Sequence, residues 1–152
     1  MWASLPLSAP FGSERIKTTF PVFAILEDSA LNPPIPDWRE KVFDCDELDV
    51  LPARWKSALS EWRGIYYILD TYDGKAYVGS AYSDENLLGR WLNYAATGHG
   101  GNALLRERDP KGFQFSILER VSPDMKKDDV TGREATWKDR LRTRSPHGLN
   151  DN

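Results

Sequence analysis

The chain has 152 residues, of which 40% are hydrophobic and 28% charged, and this composition is typical of one compact domain and excludes a mainly disordered chain. Its single cysteine, Cys45, excludes an internal disulfide and a zinc site built from several cysteines. No apolar run approaches the ~18 residues of a membrane span, and the first ten residues lack the pattern of a signal peptide. We therefore expect a cytoplasmic protein without a membrane partner.

The formal net charge of −3 by itself argues against a nucleic-acid partner, because phosphate binding depends on lysine and arginine. The charges are unevenly distributed, however. Residues 126–144 hold seven basic and four acidic side chains, whereas acidic residues predominate in the first 62 positions. A locally basic region can bind phosphate even when the whole chain is acidic, although a solvated helix face gives the same pattern.

Residues 1–50 are rich in proline, which prevents regular helix. Within them, Thr18–Leu26 carries apolar residues on both faces and predicts a strand that packs on the main body. The acidic run Asp44–Asp49 is predicted to face solvent. We therefore assign residues 1–50 to an N-terminal extension that packs on the body, and residues 51–152 to the main domain.

Regular elements are predicted from residue 52 onward. Apolar residues recur at helical spacing in three segments, and two β-rich runs flank an Asp-Gly turn that is typical of a hairpin. In chain order the predicted elements are a helix from Pro52 to near Gly64, strands Ile65–Leu69 and Ala76–Ser80, a helix capped by Asp84 with the apolar stripe Leu87, Leu88, Trp91, Leu92 and Ala95 and an end at Gly98, a strand Phe113–Leu118, and a helix Asp128–Arg142.

Glu134 lies on the predicted apolar face of the last helix, in line with Val130, Trp137 and Leu141. Burying an unpaired carboxylate is costly, so this side chain requires a cation, a metal ion or hydrogen-bond donors. A metal ligand meets that requirement. The position of Glu134 taken alone favours a structural role instead, either in an ion pair with a core arginine or with its carboxylate reaching solvent at the edge of the stripe.

A second group of residues begins in the hairpin, whose segment 64–81 reads GIYYILDTYDGKAYVGSA. Tyr66 and Tyr77 lie near facing points of the two strands. Arg90 and Tyr94 follow on the next helix, four residues apart and therefore on one face. An arginine can bind phosphate through two hydrogen bonds, whereas a tyrosine with a pKa of about 10 is a poor base unless a metal or cation lowers that pKa.

Together these segments resemble the GIY-YIG nuclease superfamily. Its two signature strands match Gly64-Ile65-Tyr66 and Tyr77-Val78-Gly79, where valine replaces the usual isoleucine. Its other elements match in order, namely the helix arginine at Arg90, the tyrosine or histidine one turn later at Tyr94, the metal-binding glutamate at Glu134, and the closing asparagine at Asn150 with Asn152 as the alternative. The resemblance covers residues 64–152 and leaves residues 1–50 outside it.

The resemblance implies a small α/β (α+β) fold in which helices flank a central three-stranded antiparallel sheet. It also implies hydrolysis of DNA phosphodiester bonds, with Mg²⁺ or Mn²⁺ as cofactor. Glu134 would hold the metal ion, which stabilises charge on the phosphate and on the leaving oxygen. Tyr66 would activate or orient the attacking water, and Arg90 would stabilise the transition state.

The remaining residues have supporting roles in this interpretation. Tyr77 and Tyr94 would position the water and the phosphate, and Asn150 would hold the tyrosine side of the site by hydrogen bonding. Lys75 is a candidate helper, because it lies two residues before Tyr77. His99 is a candidate second base or substrate ligand, although its position in a glycine-rich loop is more typical of an exposed residue.

Other functions remain open at this stage. The same scaffold could be a nucleic-acid-binding module that does not cleave, or a protein-interaction domain, for which the acidic N-terminal part is the only support. The chain could also be the catalytic domain of a larger protein that supplies specificity, or it could act as a homo-oligomer. Incubation with plasmid DNA, with and without Mg²⁺ or Mn²⁺, separates these possibilities.

Overall fold

The computed structural model describes residues 33–152, so the predicted strand Thr18–Leu26 lies outside the described residues. The helices and strands in chain order are β1 (Val42–Asp44), α1 (Ala53–Glu61), β2 (Arg63–Asp70), β3 (Ala76–Ala81), α2 (Leu87–Thr97), β4 (Phe113–Val121) and α3 (Lys127–Leu141). Short 3-10 helices lie at Cys45–Asp49, Ala103–Leu105 and Pro110–Gly112. The three predicted helices and the three predicted strands of the main domain are therefore present, with small shifts at their ends.

The sheet is antiparallel and its strand order is β1-β4-β2-β3. Strands β4, β2 and β3 form the three-stranded sheet that the sequence predicts. The fourth strand, β1, was not predicted, because it is three residues long and directly precedes the acidic run. Its middle residue, Phe43, is buried and pairs with Phe115 of β4. One edge of the sheet is thus covered by β1, and β3 forms the other edge.

Helices cover both faces of this sheet. Helices α1 and α2 enclose the larger core on the face that carries Tyr66 and Ile68. On the opposite face, α3 packs through its own Val130 against Ile65 and Val78 of the sheet. Successive residues of a strand point to opposite faces, so Tyr77 faces α2 while its neighbour Val78 faces α3. A site at the β3 edge can therefore receive side chains from both layers.

Helix α2 differs from the prediction at its start and on its buried face. Asn86, not Asp84, is the N-cap, because the Asn86 side chain accepts a hydrogen bond from the Gly89 amide at 2.7 Å. Gly98 ends the helix in the left-handed conformation, as predicted. Leu92 was predicted to be apolar core but is exposed. The buried residues of this helix are Leu87, Leu88, Trp91 and Tyr94.

The buried face of α3 also departs from the predicted stripe. Val130 is fully buried, but Leu141 at the end of the stripe is exposed. Lys138, the residue after Trp137, is buried instead and has only 5% of its surface exposed. The inward-facing side of α3 therefore carries two opposite charges, Glu134 and Lys138.

The acidic run after β1 forms the first 3-10 helix. Asp44, Asp46 and Asp49 are exposed, as predicted for this segment. Leu48, which lies between them, is buried and belongs to the main core. The run is thus anchored by one leucine while its aspartates face solvent.

A buried ion pair joins the hairpin to the loop that follows α2. Asp70, at the end of β2, is almost inaccessible to solvent and its Oδ2 lies 2.6 Å from Nη1 of Arg108. The same guanidinium nitrogen lies 2.9 Å from Oδ2 of Asp73 in the β2–β3 turn. Asp70 also accepts a hydrogen bond from the Tyr72 amide. Arg108 thereby fixes the loop that leads from α2 to β4.

We expect Arg108→Leu to lower the free energy of unfolding by about 3 kcal/mol, because it leaves the Asp70 carboxylate buried without its cation. Urea unfolding monitored by circular dichroism measures this change. The matched control is Arg106→Leu, since Arg106 lies exposed two residues earlier and its replacement should change stability by less than about 0.5 kcal/mol. Equal effects of the two substitutions would contradict a structural role for the pair.

Candidate active site

The candidate site is a cleft of about 280 Å³ where the edge strand β3 meets α2 and α3. Four of the residues that the sequence analysis selected line it: Tyr77 from β3, Arg90 and Tyr94 from α2, and Glu134 from α3. The other lining residues are Gly100, Gly101, Asn102, Lys138, Asp151 and Asn152. The fold thus brings residues that are almost 60 positions apart in the sequence to one edge of the sheet.

Three tyrosine rings pack against one another at this cleft in tilted and edge-on arrangements. The ring centroid of Tyr94 lies 5.7 Å from that of Tyr77 and 6.1 Å from that of Tyr66. The Tyr66 hydroxyl donates a hydrogen bond to the Tyr94 hydroxyl at 3.3 Å. Tyr66 has no exposed surface, whereas Tyr77 is half-buried. Tyr77 and Tyr94 therefore reach the cleft, and Tyr66 lies one layer below it.

Glycine is required beside two of these rings. Gly79 is the register partner of Tyr66 across the hairpin, and a Cβ at position 79 would lie 2.5 Å from Cζ of Tyr66. A Cβ at Gly100 would lie 2.5 Å from Cε1 of Tyr94, and Gly100 also has a positive φ of 49°. The rings occupy the space that side chains at these positions would fill. The final glycine of the YVG segment thus makes room for the tyrosine of the GIY segment.

Burial controls the protonation of the three hydroxyls. Desolvation, followed by repulsion between the neighbouring phenolates, raises the pKa of Tyr66, Tyr77 and Tyr94 above the usual tyrosine range. Arg90 opposes this increase but does not outweigh it. At neutral pH the hydroxyls are therefore protonated in the free protein, where they donate and accept hydrogen bonds but do not act as strong bases.

Arg90 lies in the first turn of α2 with its guanidinium at the cleft. Its Nε lies 3.3 Å from Oε2 of Glu85, but the two are not aligned for a hydrogen bond, and this buried Nε has no hydrogen-bond partner. This Nε is inaccessible to solvent, so the terminal N–H groups of the guanidinium, which lines the cleft, are the donors available to an anion there.

Glu134 approaches the β3 edge from the α3 side. Its Oε2 accepts a hydrogen bond from the Ser80 hydroxyl, and its Oε1 lies 2.8 Å from Nζ of Lys138, one helical turn later. The Lys138 ammonium in turn donates a hydrogen bond to Oδ1 of Asn152 at 2.7 Å. The structural partner of this carboxylate is therefore a lysine on the same helix, and not the core arginine that the sequence analysis considered.

The carboxylate oxygens at this end of the cleft are of the kind that bind a magnesium ion which keeps most of its water. Among residues 33–152 there is no group of three or more His, Cys, Asp or Glu side chains that could enclose a metal ion. Mg²⁺ is commonly held by one or two carboxylates, with water and substrate phosphates completing its coordination. Glu134 has lone pairs beyond those used by Ser80 and Lys138, and Asp151 lines the same cleft. The site therefore suits an ion that binds together with phosphate.

Asn150 supports the site from outside the sheet. Its side-chain amide accepts a hydrogen bond from the Val78 amide and donates one to the Val78 carbonyl, each at 2.9 Å. The next residue back, Leu149, donates its amide to the carbonyl of Ala76 at 2.8 Å. The C-terminal segment thus pairs with the free edge of β3 on both sides of Tyr77 and fixes the backbone that carries this tyrosine.

Two predicted substrate ligands do not line the cleft. Lys75 is half-buried where the hairpin turn enters β3. His99 belongs to the loop after α2, and its Nδ1 accepts a hydrogen bond from the Gly101 amide at 2.9 Å. Gly100 and Gly101 themselves line the cleft, so His99 lies at the rim of the site.

Sequence reasoning missed Ser80, Lys138 and Asp151. Lys138 follows Glu134 by four residues, a spacing that places the two side chains together on a helix, and this was the signal that could have revealed the pair. Ser80 lies two residues after Val78 and therefore on the same face of β3. Asp151 carries no comparable signal, because it lies outside any regular element, directly after the bridge residue Asn150.

We expect Gly79→Ala to destabilise the protein by about 1–3 kcal/mol, because the new methyl group overlaps the Tyr66 ring in a fully packed core. The control is Gly132→Ala in α3, where an added Cβ has no neighbour within 4 Å. That change should raise the free energy of unfolding by about 0.5–1 kcal/mol, because alanine favours helix more than glycine does. Chemical denaturation of both variants checks the opposite signs. Similar stabilities would show that the ring moves aside without cost.

None of the helices in residues 33–152 combines the length and apolar composition that crossing a membrane requires. Comparison with protein-family models and with curated proteins gives no match. Among solved structures, the chain is similar to the catalytic domain of the homing endonuclease I-TevI, with 30% identity and a TM-score of 0.48 over 59% of this chain and 98% of that domain. The identity extends over nearly all of that GIY-YIG domain. Together with the ordered motifs of residues 64–152, it shows that the chain belongs to the GIY-YIG nuclease superfamily.

Proposed function

We propose that the protein is a metal-dependent endonuclease that hydrolyses DNA phosphodiester bonds. The observation that carries this proposal is the convergence of Tyr77, Arg90, Tyr94 and Glu134 on one cleft. A phosphodiester in that cleft meets a cation, a carboxylate suited to a metal ion and two hydroxyls. The similar structure is the catalytic domain of a homing endonuclease, which supports DNA as the substrate.

Each charged residue has a distinct task in this reaction. Glu134 would hold a Mg²⁺ or Mn²⁺ ion, which would supply positive charge to offset the negative charge that develops during phosphodiester hydrolysis. The Arg90 guanidinium, which lines the cleft, donates hydrogen bonds to the phosphate oxygens as negative charge develops on them. Such fixed donors lower the barrier more than they strengthen binding.

The tyrosines have different roles toward the attacking water, one in direct contact with it and one acting through a neighbour. Tyr77 is the tyrosine with appreciable exposure, so we assign it the direct contact with the water molecule. Tyr66 has no exposed surface and acts through Tyr94. The hydrogen bond between the Tyr66 and Tyr94 hydroxyls holds the Tyr94 ring in its place beside the cleft. This assignment replaces the direct role of Tyr66 that the resemblance implies.

A second candidate function is a nucleic-acid-binding module that does not cleave. The ion pair between Glu134 and Lys138 favours it, because an ammonium already neutralises the carboxylate that would hold a metal ion. The hydroxyl and guanidinium groups retained in the cleft favour catalysis instead. For both candidate functions we propose that the molecule bound in the cleft is DNA. An additional domain or a second copy of the chain would supply sequence specificity.

Glu134→Gln should reduce cleavage of supercoiled plasmid in Mg²⁺ by at least about a hundredfold, since it removes the ligand charge and keeps the side-chain shape. Single-turnover gel assays measure the rate, and circular dichroism checks the fold. Asp129→Asn is the control, because Asp129 is an exposed acid on the same helix. If Glu134→Gln cleaves plasmid as fast as wild type, the metal assignment is wrong. If wild type itself does not cleave plasmid, the non-cleaving module is favoured.

Arg90→Ala should lower the single-turnover rate by about a hundredfold to a thousandfold while DNA affinity changes by less than about threefold, because its contacts strengthen in the transition state. Fluorescence anisotropy with a labelled duplex in Ca²⁺ gives the affinity. Arg106→Ala, outside the cleft, should leave both quantities unchanged. A loss of affinity as large as the loss of rate would make Arg90 a ground-state phosphate ligand.

A further inference from the structure

Lys138 is the most unusual charged residue of the cleft. Only 7% of its side chain is exposed, and lysine is almost never this deeply buried unless it is paired. Its Nζ lies 2.8 Å from Oε1 of Glu134 and 2.7 Å from Oδ1 of Asn152. One partner is charged and the other neutral, so the ammonium has an alternative contact if Glu134 is taken away.

The position of this ammonium conflicts with a divalent cation on the same carboxylate. Both would lie within a few ångströms of Oε1 of Glu134, where like charges repel strongly because the surroundings are poorly solvated. Ser80 holds the other carboxylate oxygen, which keeps Glu134 from turning away. A metal ion and Lys138 therefore compete for one ligand as long as no further anion enters the cleft.

A substrate phosphate removes this competition. Lys138 lines the same cleft as Arg90, and a lysine ammonium with its flexible four-carbon stem can exchange partners without moving the helix. A phosphate supplies negative charge to both cations at once. The ammonium can then leave Glu134 for a phosphate oxygen while Asn152 continues to accept a hydrogen bond from it.

We propose that Lys138 is an internal cation that neutralises Glu134 in the free protein and transfers to a substrate phosphate when a divalent ion binds. This inference rests on the proposed function, because it takes Glu134 as the metal ligand. It predicts that metal and DNA each strengthen the binding of the other, and linkage requires the two effects to be equal. Free protein then holds the metal weakly and loads it together with its substrate.

The test measures Mn²⁺ binding to the full chain by electron paramagnetic resonance, with and without a phosphorothioate duplex that resists hydrolysis. Lys138→Gln removes the charge but keeps a hydrogen-bond donor. Without DNA we expect this variant to bind Mn²⁺ about five- to tenfold more tightly than wild type, and the gain on adding duplex to shrink by a similar factor. Lys127→Gln is the matched control, because Lys127 is exposed at the start of the same helix.

Equal Mn²⁺ affinities of wild type and Lys138→Gln, or an equal gain on adding duplex, would overturn the inference. Nuclear magnetic resonance of the wild type provides a measurement that needs no variant, because the ε-methylene signals of Lys138 should shift only when Mg²⁺ and duplex are both present. Absence of that shift would also overturn it. If Lys138 controls Mn²⁺ affinity but plasmid is never cleaved, the proposed nuclease function fails and this inference survives.

Discussion

The close contact between the Tyr66 ring and the backbone of Gly79 is the constraint on which the site depends. Because position 79 has no Cβ, the ring lies against β3 and is completely buried. Tyr94 packs on the Tyr66 ring, and the hydroxyls of the two residues are hydrogen-bonded. These contacts fix the rotation of α2 about its axis. Arg90 lies one turn earlier on that helix and therefore faces the same cleft. A packing contact in the hairpin thus determines where the guanidinium points.

The opposite side of the cleft depends on the edge of β3. An edge strand presents unpaired backbone groups, and here the C-terminal segment satisfies them through Asn150 and Leu149. The same segment brings Asn152 to Lys138. The strand that carries Tyr77 and the charges around Glu134 are therefore held by one short stretch of chain, which explains why an asparagine without contact to the cleft belongs to the motif.

The sequence predicted those parts of the site that follow from local periodicity. The hairpin, the α2 face with Arg90 and Tyr94, and the position of Glu134 on the inner side of α3 all follow from spacings of two or of three to four residues. Strand β1 was missed because three residues give too short a pattern to recognise. The burial of Tyr66 and the contact of Lys138 with Asn152 depend on contacts between distant segments, which no spacing within one element reveals. The pairing of Lys138 with Glu134, by contrast, was readable from their four-residue spacing.

The arrangement of charges reconciles the net charge of −3 with the proposed phosphate-binding site. The exposed Asp44, Asp46 and Asp49 border a separate cavity that also includes Leu92 and Ala96 of α2. At 100° per residue, Leu92 and Ala96 lie on the side of α2 opposite Arg90, so the helix separates these acids from the cleft. The basic residues Arg142 and Arg144 instead border a depression that shares Lys138 with the cleft. Arg144 is paired with Asp139 there, which leaves Arg142 and Lys138 as the other basic groups of that depression. On the proposed function, a phosphate backbone would therefore approach from the side of Arg142, while the acidic run lies across α2 from the cleft.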